Sequence, residues 1–128
     1  QNAVIRAFEG IKANWRIGAW GVTAASTHKE NLAVVGATER PDVVQCIANA
    51  LDSSGSMALI DETPGPREVI AKAADAGIGV MGIRAVAAGS LTQAIDREVH
   101  PKSAELKDFH RSAGFRALAQ SRGVSHAY

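Results

Sequence analysis

Gly77-Ile-Gly-Val-Met-Gly-Ile-Arg-Ala-Val-Ala-Ala-Gly-Ser-Leu-Thr-Gln93 is the stretch on which the fold of this chain turns. Ile78 to Val86 reads as a strand that leaves a helix and runs into a loop of small residues. An apolar run between glycines, without clean alternation, is the pattern of a parallel strand covered on both faces. The spacing Gly77-x-Gly79-x-x-Gly82 has the form of a dinucleotide fingerprint, but in the wrong place. In that fingerprint the glycines follow a strand and open a helix, so that the pyrophosphate meets the helix N-terminus. Here Gly77 suits the left-handed position just past a helix end, and Gly79 and Gly82 thin a strand for close packing.

Working back from Gly77, Val69, Ile70 and Ala73 share one face of a helix over Arg67 to Ala76, launched by Pro64-Gly-Pro66. Before it, residues 52–66 form the longest irregular segment, a length that marks functional or mobile loops. Asp42-Val-Val-Gln-Cys-Ile47 reads as a strand. Thr27-x-x-Glu30 has capping-box spacing and starts a helix from His28 to about Ala37, with Leu32 and Val35 inward. Ile17 to Val22 reads as a short strand carrying Trp20, after a turn at Lys12 to Arg16. Val4, Ile5, Phe8 and Ile11 mark one face of a first helix over residues 2–13.

Beyond Gln93 a polar stretch leads to a helical segment over 103–122. Its apolar phase slips between Leu106/Phe109/Ala113 and Phe115/Leu118/Ala119, which predicts two helices or a kink at Gly114. Gly123 ends the second, and Ser125 is placed to cap a further helix. Helices alternating with strands predict an α/β fold with parallel strands in a single domain over residues 1–128, with no internal repeat. The first residue, Gln1, and the last four both fall inside elements, which reads as a piece of something longer.

Composition narrows the function classes. The net charge is +1 and the basic residues are scattered singly, so no nucleic-acid footprint is visible. No apolar run nears the ~20 residues of a membrane helix, and no signal peptide opens the chain. These features suggest a soluble, cytoplasmic protein. The four histidines lie far apart without metal-ligand spacing, so no metal is expected. The lone Cys46 sits in an apolar run and reads as a buried, inert thiol. No nucleophile–base–acid set is evident: Gly-x-Ser-x-Gly is absent, and Asp42, Asp52 and Asp61 have no histidine partner in view.

Ligands of parallel α/β folds bind at the C-terminal ends of the strands. Those ends carry Thr23 to Ser26, Asn49 to Ser56, and Arg84 to Thr92. Arg84 has the fork that suits phosphate or carboxylate, and equally suits an ion pair between elements.

Three stretches, in order and in register, resemble the aldo-keto reductase family. Phe8-Glu-Gly-Ile-Lys-Ala-Asn-Trp-Arg-Ile-Gly-Ala-Trp-Gly-Val-Thr23 is similar to that family's helix–strand segment F-x-x-L-K-x-x-G-K-I-R-x-I-G-V-S-N. Asp42-Val-Val-Gln-Cys-Ile-Ala-Asn-Ala-Leu-Asp52 resembles D-V-V-Q-x-x-Y-N-L-L-D, and Ala76 to Thr92 resembles H-G-I-G-V-I-A-Y-S-P-L-A-S-G-L-L-T-G. The resemblance spans nearly the whole chain and implies helix four to beyond strand seven of an eight-stranded TIM-type barrel. Such a barrel takes ~250 residues, so this would be about half of one, rearranged or completed by oligomerisation.

By the resemblance, NADP(H) or NAD(H) would be the cofactor and a small carbonyl compound the parent enzyme's substrate. Thr23 and Ala24 would stand where a Ser and an Asn hold the nicotinamide amide, and Gln45 would share that role. Ile83 replaces the aromatic residue that stacks on the nicotinamide ring, while Arg84, Ala85, Val86, Gly89 and Leu91 match the loop along the pyrophosphate. The family's catalytic Asp, Tyr, Lys and His have no counterpart here, so the chain is expected to be inactive alone. A half barrel leaves sheet edges and an inner face uncovered, which predicts a homo-oligomer. The alternative is a small non-catalytic α/β oligomeric module with weak binding of a small anion or nucleotide. An independent enzyme of flavodoxin-like or Rossmann-like form conflicts with the misplaced glycines.

Overall fold

The computed structural model describes residues 2–59 and 65–126. Helix α1 spans Asn2–Ala13, strand β1 Gly21–Thr23, helix α2 His28–Val35 and strand β2 Val43–Ile47. A 3₁₀ turn over Gly55–Leu59 precedes helix α3, Pro66–Asp75, and strand β3, Gly79–Ile83. A second 3₁₀ turn at Ala87–Gly89 leads on to α4, Ala104–Arg111, and α5, Ala113–Ser121.

The three strands form one parallel sheet in the order β1-β2-β3. Gly21, Val43 and Gly79 align across it, as do Thr23, Gln45 and Met81. The protein is therefore α/β, built of consecutive parallel β/α units.

Local chemistry explains the element ends. Thr27 accepts from the Glu30 N–H, and the Glu30 carboxylate accepts from the Thr27 N–H and from its hydroxyl. These hydrogen bonds, with one from the Ser26 hydroxyl first among them, hold the Glu30 carboxyl below the usual carboxylate range. Gly36 ends α2 earlier than Ala37. Pro66 stands in the first turn of α3, where its missing N–H costs no helix bond. Gly77 adopts the left-handed conformation, φ 71°, that its place past α3 requires.

Even-numbered residues of β2 point toward α2 and α3. Val44 and Cys46 pack there with Val35, Val69, Ala73 and Ile78 in the core. Burial of a Val or Ile side chain contributes roughly 1.5–3 kcal/mol, so this small cluster carries much of the fold. It also raises the Cys46 thiol pKa by burial, in line with an inert cysteine.

Helix α1 is attached differently. Phe8 stacks on Trp20 with ring centroids 5.6 Å apart, and the Trp20 indole donates to Glu9 at 2.5 Å. Lys12 pairs with Asp42, which also accepts from the Trp20 N–H at 3.0 Å. Val4, Phe8 and Ile11 nevertheless remain exposed.

Three expectations need correction. The stretch from Ile78 to Val86 is not a strand covered on both faces: β3 is five residues long and forms a sheet edge, with Val80 39% and Met81 55% exposed. Ile17 to Trp20 is not part of the ladder: pairing begins at Gly21, the Trp20 N–H donates to the Asp42 side chain, and the Trp20 carbonyl accepts from the Asp42 and Val43 N–H groups. A side chain at Gly21 would lie 2.6 Å from the Val43 carbonyl, so the strands approach as closely as they do because glycine stands there. Finally, the break between α4 and α5 falls at Ser112, not at Gly114, which lies within α5. The Ser112 hydroxyl donates to the Ser90 and Phe109 carbonyls, and this tertiary anchor sets the break. The helix that Ser125 was placed to cap would run into residues 127–128, and part of the 52–66 loop covers residues 60–64; both lie outside the described residues.

Candidate functional site

Of the residues nominated from the sequence, Thr23 closes β1, Gln45 lies midway along β2 and Ile83 closes β3, while Ala24 and the residues from Arg84 to Leu91 follow the strands. Thr23 and Gln45 stand side by side on the sheet face opposite the core, and the Thr23 hydroxyl donates to Gln45 Oε1 at 3.1 Å. The Gln45 amide in turn points at Met81 Sδ, 3.6 Å away. Ala19, Trp20, Gly21, Val43 and Met81 line the same shallow depression. A planar amide laid on this face would meet one hydroxyl and one carboxamide within a wall of apolar surface. Ala24 is half-buried against the core beside Val22 and bonds by its N–H to the Gln45 carbonyl, so it contributes backbone rather than side chain.

The β3 end is shaped by backbone. Ile83 is half-buried, with its carbonyl accepting from the Ala48 N–H. Arg84, Ala87 and Ala88 all have left-handed backbone, with φ of 56°, 49° and 55°. Asp52, in the loop after β2, does too, at φ 51°. Each such residue costs about 1–2 kcal/mol without glycine, and strain of this kind concentrates at functional sites. Four of the five non-glycine residues with positive φ among those described stand in these two loops; the fifth, Trp15, follows α1.

Not every matched residue reaches the surface. Ala85 and Val86 are exposed and Gly89 is half-buried, whereas Leu91 is buried.

Arg84 faces α4. Its Nη2 lies 3.5 Å from Glu105 Oε1, and the same oxygen accepts from the Ser56 N–H at 3.1 Å. The Arg84 Nε–H is buried and has no hydrogen-bond partner among the described residues. Burial alone would raise the Glu105 pKa, but its own backbone N–H, the bonds from Ser56 and the Arg84 charge outweigh that and lower it. Gly55 makes the approach possible: a side chain there would sit 2.8 Å from Arg84 Nη2, on a backbone with φ 55°.

Helix α4 is moored over these loops by further bonds. Asp108, itself buried, accepts from the Ser53 hydroxyl, and the Ser90 hydroxyl donates to the Glu105 carbonyl at 2.8 Å. Arg116 lies 3.7 Å over the Phe109 ring and donates to the Ser90 and Phe109 carbonyls. Glu105 as the partner of Arg84 and of Ser56, and Gly55 as the neighbour of Arg84, were not legible, because these contacts span 21 residues or more of chain with no local pattern.

Between α2 and α3, a cavity of about 40 Å³ is lined by residues including Ser26, His28, Cys46 and Ser54. His28 also bonds Glu68 of α3, at 2.8 Å. Among the described residues no group of three or more His, Cys, Asp and Glu could hold a metal ion, and no helix is long and apolar enough to cross a membrane. Compared with family models, curated proteins and solved structures, the chain finds no match.

Proposed function

We propose that this chain is the cofactor-binding side of an aldo-keto reductase-type barrel, carrying part of a nicotinamide site and no catalytic tetrad. The observation that carries the reading is the Thr23–Gln45 pair, hydrogen-bonded on the uncovered sheet face where β1 ends, with Gln45 midway along β2. A carboxamide and a hydroxyl so held can exchange hydrogen bonds with the nicotinamide amide. Consecutive parallel strands with helices over one face are also the geometry of successive barrel units. The open face would then be the barrel interior, Ile83 would wall the nicotinamide ring, and the Arg84 to Leu91 loop would follow the pyrophosphate.

Hydride transfer to a carbonyl needs a proton donor matched to the alkoxide that forms, and among the described residues lining the depression that holds both Thr23 and Gln45 none supplies one. NADP(H) is expected to bind weakly, and the isolated chain to reduce no carbonyl. Titration with NADPH followed by the fluorescence of Trp15 and Trp20 tests the first expectation. Carbonyl-dependent NADPH oxidation by the purified chain would overturn the second.

The second reading, a non-catalytic α/β module that works as an oligomer, is favoured by one feature. Arg84 is already engaged by Glu105, and the sheet offers an uncovered face and edge to another copy. Absence of binding at millimolar cofactor, together with a stable dimer, would favour it.

A further inference from the structure

Among the described residues, nothing fills the buried Nε donor of Arg84. A buried guanidinium Nε–H without a partner is costly, and each such group calls for an explanation. The Arg fork is matched by two oxygens that take Nε and one Nη together. Glu105 does not supply that. Its contacts with Arg84 and with the Ser56 N–H both use Oε1, at 3.5 and 3.1 Å, and the Nε edge is left over. Around the same point the chain has placed a left-handed Arg84, and a Gly55 whose missing side chain leaves room for the guanidinium. Glu105 is only 11% exposed and Arg84 24%. The group of donors is thus arranged for an oxyanion and filled imperfectly by an internal one.

We infer that Glu105 is an internal plug: its carboxylate occupies the anion site formed by Arg84 and the Ser56 N–H, and a phosphate-bearing ligand must displace it to bind. The inference rests on the reading of the Arg84 loop as the place of a ligand's phosphates and adds how that site is regulated. Displacement frees the Ser56 N–H and Nη2 and lets one phosphate take Nε and Nη2 together. Because Glu105 stands on α4, swinging it out pulls on a helix that is also bonded through Asp108 and its own carbonyl to the loops after β2 and β3. Ligand binding and the seating of α4 are therefore opposed.

Calorimetric titration of inorganic pyrophosphate into the 128-residue chain, at fixed ionic strength, tests this. Glu105→Gln should bind about tenfold more tightly than the unmutated chain, the scale of one charge-assisted contact. The gain should vanish in the Arg84→Met/Glu105→Gln double variant. Glu98→Gln, which removes the same charge at an exposed position, should leave affinity unchanged. Equal affinity in Glu105→Gln, or a gain that survives loss of Arg84, would overturn the plug. A measurement on the unmutated chain guards against a variant that fails to fold. The ¹⁵N-detected Arg84 Nε–H resonance should move at millimolar pyrophosphate, and an unmoved resonance at saturation overturns the proposal as well. A parallel titration with NADPH separates the two claims. Tighter pyrophosphate binding in Glu105→Gln without NADPH binding leaves the plug standing and removes the nicotinamide site. NADPH binding alike to both chains does the reverse.

Discussion

On one face of the sheet Val44 and Cys46 lie sealed beneath α2 and α3; on the other, one residue away in sequence, Gln45 meets Thr23 and Met81 on an uncovered surface. The two faces share a backbone and differ in what they are for. The covered face is apolar and packed, and its residues contribute stability. The uncovered face mixes glycine, hydroxyl, carboxamide and thioether, which contribute little to stability unless something lies on them. A strand whose alternate residues differ in this way is expected wherever one face of a sheet is covered and the other is not.

The largest effect should come from exchanging the two faces' chemistry. Val44→Asp buries a carboxylate with no partner, at a cost of several kcal/mol against the ~5–15 kcal/mol of a typical domain. Cooperative thermal unfolding followed by circular dichroism should be lost. Gln45→Leu, its neighbour, should change stability by no more than about 0.5 kcal/mol. Equal damage from both would erase the distinction between the faces.

A smaller effect concerns what covers the open side. If copies of the chain associate there, light scattering after size-exclusion chromatography should report a dimer. Met81→Lys, at an exposed position beside Gln45 on the edge strand, should return it to the monomer mass. A monomer at every concentration in the unmutated chain would remove association from the account.

How the sequence relates to this arrangement is clearest in particular elements. The start of α2 could be read because Thr27 and Glu30 satisfy each other's backbone within one turn, a wholly local device. The end of α3 could be read because a residue with φ 71° at position 77 calls for glycine. The parallel order followed from the alternation of elements. What could not be read were outcomes set by distant chain. An apolar run such as Gly79 to Ile83 looks the same whether helices cover one of its faces or both. The break at Ser112 depends on the Ser90 carbonyl 22 residues away, and the partner of Arg84 sits 21 residues on. In the candidate site, Thr23, Gln45 and Arg84 could be nominated from the sequence, but not the hydrogen bond joining the first two or the carboxylate facing the third.

Stability should also depend on pH through Asp42. Hydrogen bonding to Lys12 and to the Trp20 N–H holds the Asp42 carboxyl below the ordinary Asp range, while the partner Lys12 ammonium is raised by the same contact. A carboxyl depressed in the folded state adds stability that is fully present above its unfolded pKa and is lost as pH falls through the folded value. Stability should therefore be level above about pH 5 and fall progressively below about pH 4. The attachment of α1 through Trp20 should loosen first, visible as a change in indole fluorescence. Asp42→Asn should make that acid limb shallower, leaving the share of Glu30 and Glu105, and keep the response at neutral pH small. An unchanged acid limb in Asp42→Asn would show that other carboxylates control it.

The most direct test of the central claim is energy transfer to NADPH from Trp20, which lines the same depression as Thr23 and Gln45. A weak, saturable signal is expected, falling about tenfold in affinity or disappearing in Gln45→Leu, with the fold intact. No signal at millimolar NADPH, or binding indifferent to Gln45, would contradict it.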